Sequence, residues 1–285
     1  MLQYNEYYNE RTGLTVGIRK VLFSRQSEFQ RVEVFETDTW GNLMVIDGMV
    51  MLSERDEFVY HEMLVHPALA THPDPKRVLI IGGGDGGSAR EVLKHSSVEQ
   101  VDLVEIDVTV VEAAKSWLPD VGAFDDPRLH LYVEDGIDFV KNQSGSYDVI
   151  IVDGSDPVGP AEGLFKASFI DACHNALRSD GVVSLQSESP WVESYHTGMR
   201  GVWNALNSTF THSEVFLSWI PLYPGGMWSM MIGSKKIHPL EPDVLNRSGE
   251  LEKNLGSLSY YNRKVHQGAF ALPNFVAEIF IDRDE

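Results

Sequence analysis

The stretch that most limits how this chain folds is VLIIGGGDGG, Val78 to Gly87, where four apolar residues run straight into a glycine loop. A short unbroken apolar run ended by glycine reads as a strand buried on both faces. A glycine loop between such a strand and a helix is the ligand-binding turn of an open parallel sheet. Turns of this kind usually offer bare N–H groups to phosphate. Asp85, inside this one, argues against that use. A carboxylate repels a pyrophosphate and attracts an ammonium or a sulfonium. A dinucleotide is therefore disfavoured, although Gly82, Gly84 and Gly87 match its G-x-G-x-x-G spacing.

The flanking chain fits the same plan. After the polar break HPDPK, strand-like runs (RVLII, VDLVEI, LHLYV, DVIIVD, VVSLQ) alternate with helical ones (SAREVLKH, VTVVEAAKSWL, GIDFVKNQ, FKASFIDACHNALR, SYHTGMRGVWNALNSTF). That alternation predicts a parallel sheet covered on both faces. SEVFLSW and MWSMMIG follow with only IPLYPGG between them, which predicts an antiparallel edge. The result is α/β: a methyltransferase-like Rossmann domain with a mostly parallel seven-stranded sheet. Before it, VGIRKVLFSRQS, QRVEVFETD and LMVIDGMVML read as three strands, the last two joined at TWGN as a hairpin. ERDEFVYHEMLVHPALA, Glu54 to Ala70, has helical spacing interrupted at Pro67. The expected division is a small N-terminal β domain with its connecting helix over 1–70 and the Rossmann-like domain over 71–285.

Ligands in such a sheet bind beyond the carboxyl ends of its strands. Four of those ends carry acids here: Asp85, Glu105, Asp135 and Asp153. One alone would be unremarkable, because strand-end acids often cap the next helix; four converging acids suggest recognition. Glu105 lies where a carboxylate can accept both ribose hydroxyls. In DGSDPVGP a second acid, Asp156, follows Asp153 on a loop stiffened by Pro157 and Pro160. An Asx-turn explains one of these acids, and both together at a cleft mouth suit a polycation. Tyr60, Tyr223 and Trp191 are aromatics that either cover the cleft or simply pack. His61 and His66 stand five apart, about 140° around a helix, so the zinc spacing of four is not met. No G-x-S-x-G nucleophile turn is present.

Composition sets outer limits. With 23 basic and 42 acidic residues the formal charge is -19, which argues against nucleic acid and permits cationic ligands. The single cysteine excludes an internal disulfide and a cysteine-rich metal site. MLQYNEYYNERTG lacks the apolar core of a signal peptide, and no run approaches the ~20 apolar residues of a membrane span. A cytoplasmic protein is the expectation.

Taken together, these residues resemble the polyamine aminopropyltransferases, the spermidine synthase family. The resemblance is carried by GNLMVIDGMVMLSERDEFVYHEM, VLIIGGGDGGSAREVLKH, VEID, VEDG, DGSDPVGPAEGLF, IPLYPGGMW and YYNRKVHQGAFALPNF, nearly the whole chain. It implies transfer of an aminopropyl group from decarboxylated S-adenosylmethionine, a co-substrate, to a diamine such as putrescine, with no metal or other cofactor. By matching position, Gln30 and Glu105 would hold the nucleoside. Asp135 and Gly136 would take the adenine amino group, Pro160 the adenine side, and Asp85 the donor's amine. Tyr60, His61, Asp153, Asp156 and Tyr223 would surround the acceptor, with Asp153 the family's proposed base. A homodimer or homotetramer is implied as well. The chain departs from the family pattern at Gly154, where a small hydroxyl residue is common. It departs again at Met51, where some relatives have glutamine, and at Tyr195, where some have an acid. These leave agmatine, cadaverine or a longer polyamine open as acceptors. A methyltransferase using intact S-adenosylmethionine and a non-enzymatic polyamine sensor are the competing readings.

Overall fold

In the computed structural model, which describes residues 2–155, 159–256 and 258–281, two sheets enclose a cleft between them. The first is an antiparallel meander of β1 (Leu2–Tyr7), β2 (Gly13–Gln26), β3 (Arg31–Thr37), β4 (Asn42–Ile46) and β5 (Met49–Ser53), in sequence order. The chain then runs through α1 (Glu57–Thr71), β6 (Arg77–Gly82), α2 (Gly87–Leu93), β7 (Gln100–Glu105), α3 (Val108–Trp117), β8 (Leu129–Val133), α4 (Gly136–Lys141) and β9 (Tyr147–Asp153). It continues with α5 (Ala167–Ala176), β10 (Leu177–Gln186), α6 (His196–Thr209), β11 (His212–Ser218), β12 (Trp228–Ser234), α7 (Pro242–Asn254), α8 (Arg263–Ala269) and α9 (Asn274–Ala277).

The second sheet has the order β11-β12-β10-β9-β6-β7-β8. Its strands β6 to β10 are parallel, and β12 runs antiparallel between β10 and β11, as the alternation of the sequence predicts. Val78, Leu79, Ile80 and Ile81 are each at most 2% exposed, so this strand is covered on both faces. Helices α1 and α2 pack on one face, where Met63, Leu64 and Val92 meet Val78 and Ile80. Helices α5 and α6 pack on the other, where Phe169, Ile170 and Val202 meet Leu79 and Ile150.

Three local readings are corrected. LMVIDGMVML is not one strand but β4 and β5, folded back at Asp47 and Gly48, both with positive φ (49° and 83°). That is the backbone a two-residue primed turn requires, and Asp-Gly is its usual sequence. The polar N-terminus supplies a further strand, β1, paired along β2. Pro67 does not interrupt α1, which continues to Thr71; the Thr71 hydroxyl donates to the Pro67 carbonyl at 2.8 Å.

The first sheet forms the roof of the cleft. Val32, Val34, Met44, Ile46 and Leu52 pack on Val110, Ala113, Ala114 and Leu118, which fixes β3 to β5 over α3. Among the described residues no helix is long and apolar enough to cross a membrane.

Candidate active site

Strand order reverses between β6 and β9, and there the two strand ends part to leave a crevice. Gly82 pairs with Asp153 across this point, and Gly83 donates its N–H to the Asp153 carbonyl at 2.8 Å. The glycine loop therefore folds over the end of β9, and its missing Cβ atoms are spoken for. A Cβ on Gly82 would lie 2.2 Å from the Asp153 carbonyl oxygen, and one on Gly84 2.8 Å from Cγ of Glu105. One on Gly87 would lie 2.3 Å from Cε1 of His61. The glycines make room for Asp153, Glu105 and His61 of the site itself.

Glu105 at the end of β7 and Asp135 and Gly136 just after β8 line one end of the cleft, together with Gln30, whose turn is tied to Asp107. Glu105 accepts the Asp107 N–H on Oε1 (2.9 Å) and the Gly84 N–H on Oε2 (3.1 Å). Burial nevertheless raises its pKa to about 7, helped by the charges of Asp107 and Asp85. Asp135 accepts the Ile137 N–H at 2.8 Å, so it caps α4 and stays exposed at the rim. Gln30 is anchored through its backbone: the Ser27 hydroxyl donates to Asp107 at 2.7 Å and accepts the Gln30 N–H at 3.0 Å. Asp107 in turn caps α3 through the Thr109 N–H at 2.9 Å.

Tyr60, His61, Asp85, Asp153 and Tyr223 line the other end. Asp153 takes the Tyr60 hydroxyl on Oδ1 at 2.8 Å and the Ser88 hydroxyl on Oδ2 at 2.6 Å. Burial and the nearby charge of Asp85 raise its pKa above the ordinary carboxylate range. Asp85 accepts the Gly87 N–H at 2.7 Å and faces His61 Nε2 at 3.2 Å. Burial opposes its charge, but His61 and this N–H prevail and hold its carboxyl low. The Tyr223 hydroxyl donates to the Met51 carbonyl, and its ring lies 5.9 Å from that of Tyr60.

Among the described residues, ligand atoms of His61, Asp85 and Asp153 all come within 4.8 Å of one another. Glu57 lies 2.6 Å from Nδ1 of His61 and Asp85 3.2 Å from Nε2, so carboxylates flank the ring on both sides. His66 turns away into the core, to Glu91 and His95, each at 3.0 Å.

Asp156 and the side chain of Pro160 lie outside the described residues. Trp191 does not cover the cleft; it is 58% exposed and stacks on Phe275, ring centroids 4.6 Å apart. Tyr195 packs beside α5 and α6 rather than on the cleft, whereas Met51 does line it. At Gly154 a Cβ would meet Cδ1 of Leu164 at 2.6 Å, so the missing hydroxyl is coupled to a leucine that takes its space. Sequence reading missed Ser88, Glu57 and Arg90. The i, i+4 spacing of Glu57 and His61 on a helix was the available signal for one of them.

Comparison with known proteins finds relatives along the whole chain. Residues 57–242 match the family model "Spermine/spermidine synthase domain", and residues 3–54 match "Spermidine synthase tetramerisation domain". A polyamine aminopropyltransferase of Clostridium perfringens is 41% identical over 286 residues, covering 100% of this chain and 99% of that protein. One from Caldicellulosiruptor bescii is 43% identical over 279 residues, 98% of each. A spermidine synthase solved with the transition-state analogue AdoDATO superposes with a TM-score of 0.92 at 40% identity, over 98% of this chain and 94% of that one. The spermidine synthase of Thermotoga maritima gives 0.90 at the same identity and coverage. Sequence along the whole length and the two-sheet fold thus converge, and the chain belongs to the spermine/spermidine synthase family of aminopropyltransferases.

Proposed function

We propose that this enzyme transfers the aminopropyl group of decarboxylated S-adenosylmethionine to putrescine, releasing methylthioadenosine and a proton and forming spermidine. The observation that carries the reading is the division of the cleft into two ends. Glu105, with Asp135 and Gln30, suits a nucleoside, while Asp85 and Asp153 meet around His61 where amines would lie. In the transfer, the amine lone pair forms an N–C bond to the carbon beside the sulfonium. The C–S bond breaks with its electron pair going to sulfur, which becomes a neutral thioether.

The attacking amine must first be neutral. For an alkylammonium of pKa ~10, deprotonation near neutral pH costs about 4 kcal/mol. Asp153 has an unusually basic carboxyl for its type and both oxygens fixed by hydroxyls, which supports orienting the amine and accepting its proton. Asp85 supports an amine-tailed donor over intact S-adenosylmethionine, whose carboxylate it would repel. Asp156 and Pro160 stay in the proposal by position alone. For assembly we propose a homodimer or homotetramer built through the first sheet, supported by the family match over residues 3–54.

The test is methylthioadenosine formation with decarboxylated donor and a panel of putrescine, cadaverine, agmatine and spermidine. Putrescine should give the highest kcat/KM. Faster turnover of another amine replaces it as acceptor, and tighter binding of intact S-adenosylmethionine defeats the donor assignment.

A further inference from the structure

Behind the amine end of the cleft stands a row of alternating charges that contact with substrate does not explain. His61 has a carboxylate on each ring nitrogen, Glu57 at 2.6 Å from Nδ1 and Asp85 at 3.2 Å from Nε2. A neutral imidazole offers one N–H and one lone pair and can satisfy only one of them; an imidazolium satisfies both. Glu57 is itself gripped by Arg90, whose Nη1 and Nη2 reach its two oxygens at 2.8 and 2.9 Å. Arg90 also donates to Glu91 and to the Val121 carbonyl, each at 2.8 Å, so the fork is fixed from behind. His61 and Arg90 together overcome the burial of Glu57 and keep its carboxyl below the ordinary range.

The other titratable groups around the ring are Tyr60 of the same helix, ring centroids 5.3 Å apart, Asp153 from β9 and, on the far side of Tyr60, Tyr223, whose ring lies 5.9 Å from that of Tyr60. The ring is also fixed in place, since it occupies the space of the absent Gly87 side chain. This matters because Asp85 and Asp153 favour an ammonium, whereas the attack needs a free amine. A permanent cation among those acids offsets their pull.

We propose that Glu57, gripped by Arg90, is a positioning residue that holds His61 as an imidazolium against Asp85, so that the cleft admits the acceptor amine without trapping it as an ammonium. The proposal rests on the acceptor site assigned above.

Glu57→Gln tests it. The amide can donate to Nδ1, which leaves a neutral His61 still presenting Nε2–H to Asp85; the charge is lost together with the Arg90 Nη2 bond to that same position, while Arg90 Nη1 keeps its acceptor. With saturating donor and the best amine of the panel, the acid-side ionisation in kcat should move up by about one unit, an approximately tenfold loss near neutrality. At high pH kcat should return to the wild-type plateau, and KM for the amine should not rise. A loss of the same size at every pH, or an unmoved ionisation, overturns the proposal. The unaltered enzyme gives an independent answer if the variant does not fold. Nitrogen NMR shifts of His61 should show an imidazolium well above the ordinary value of 6.5, and titration at or below that value overturns the proposal. The NMR result does not depend on which amine reacts, so failure of the acceptor assignment would be seen separately in the panel.

Discussion

Both oxygens of Asp153 accept hydroxyl hydrogens, from Tyr60 and Ser88, so the carboxylate is locked in one orientation before any amine arrives. Asp153→Asn keeps the shape and removes the charge. Turnover should fall by roughly a thousandfold, the usual worth of a placed proton acceptor, while calorimetry shows donor binding within a few fold of wild type. A matching collapse of donor affinity would move Asp153 to the nucleoside end. Glu105 makes a prediction about pH. Only its ionised form accepts two ribose hydroxyls, and with a pKa of about 7 it gains that form as pH rises through neutrality. Methylthioadenosine should bind more tightly at pH ~8 than at ~6, and the difference should vanish in Glu105→Gln. In the empty enzyme the sign is opposite. The folded pKa exceeds the ordinary 4.5, so this residue's contribution to stability is complete below that value and is lost as pH rises through about 7. At this scale the acids were legible because each ends a strand. Ser88 and Arg90 were not, since a serine after a glycine loop and an arginine in a helix are too common to signal partners 65 and 33 residues away.

Loops at the two ends of the cleft are tied by hydrogen bonds to neighbouring elements. The clearest is the turn before β3, tied by Ser27 to Asp107 and through it to the start of α3. Asp107→Ala should cost about 1 kcal/mol from the lost cap and release the turn that carries Gln30. Differential scanning calorimetry should show the stability loss, and kinetics a several-fold rise in donor KM with kcat nearly kept. Equal loss in both constants would mean that α3 itself had shifted. The elements of the parallel sheet were readable because buried strands are continuous apolar runs bounded by glycine or polar breaks. The first sheet was harder. Asp47–Gly48 sits inside so apolar a run that its turn was overlooked, and β1 is polar because it lies at an edge where little is buried. Pro67 misled for a different reason: α1 is buried along nearly its whole length, and packing outweighs one lost backbone hydrogen bond.

As a whole the molecule carries a charge of -19, and both proposed substrates are cations. Its field should draw them in, so kcat/KM for the diamine should fall as salt rises from about 0.05 to 0.5 M while kcat changes little. An unchanged kcat/KM would show that the surface acids serve only solubility. The roof formed by the first sheet could not be foreseen from local pattern, because it depends on how Met44, Ile46 and Leu52 dock on α3 across more than fifty residues of chain. The glycine loop has one last consequence, for anyone who would re-engineer the cleft. Removing Asp85 alone would not convert it to a phosphate binder, because the hollows at Gly82, Gly84 and Gly87 are already filled by Asp153, Glu105 and His61. Changing the ligand means evicting three tenants, and each of them holds up a different strand or helix of the site.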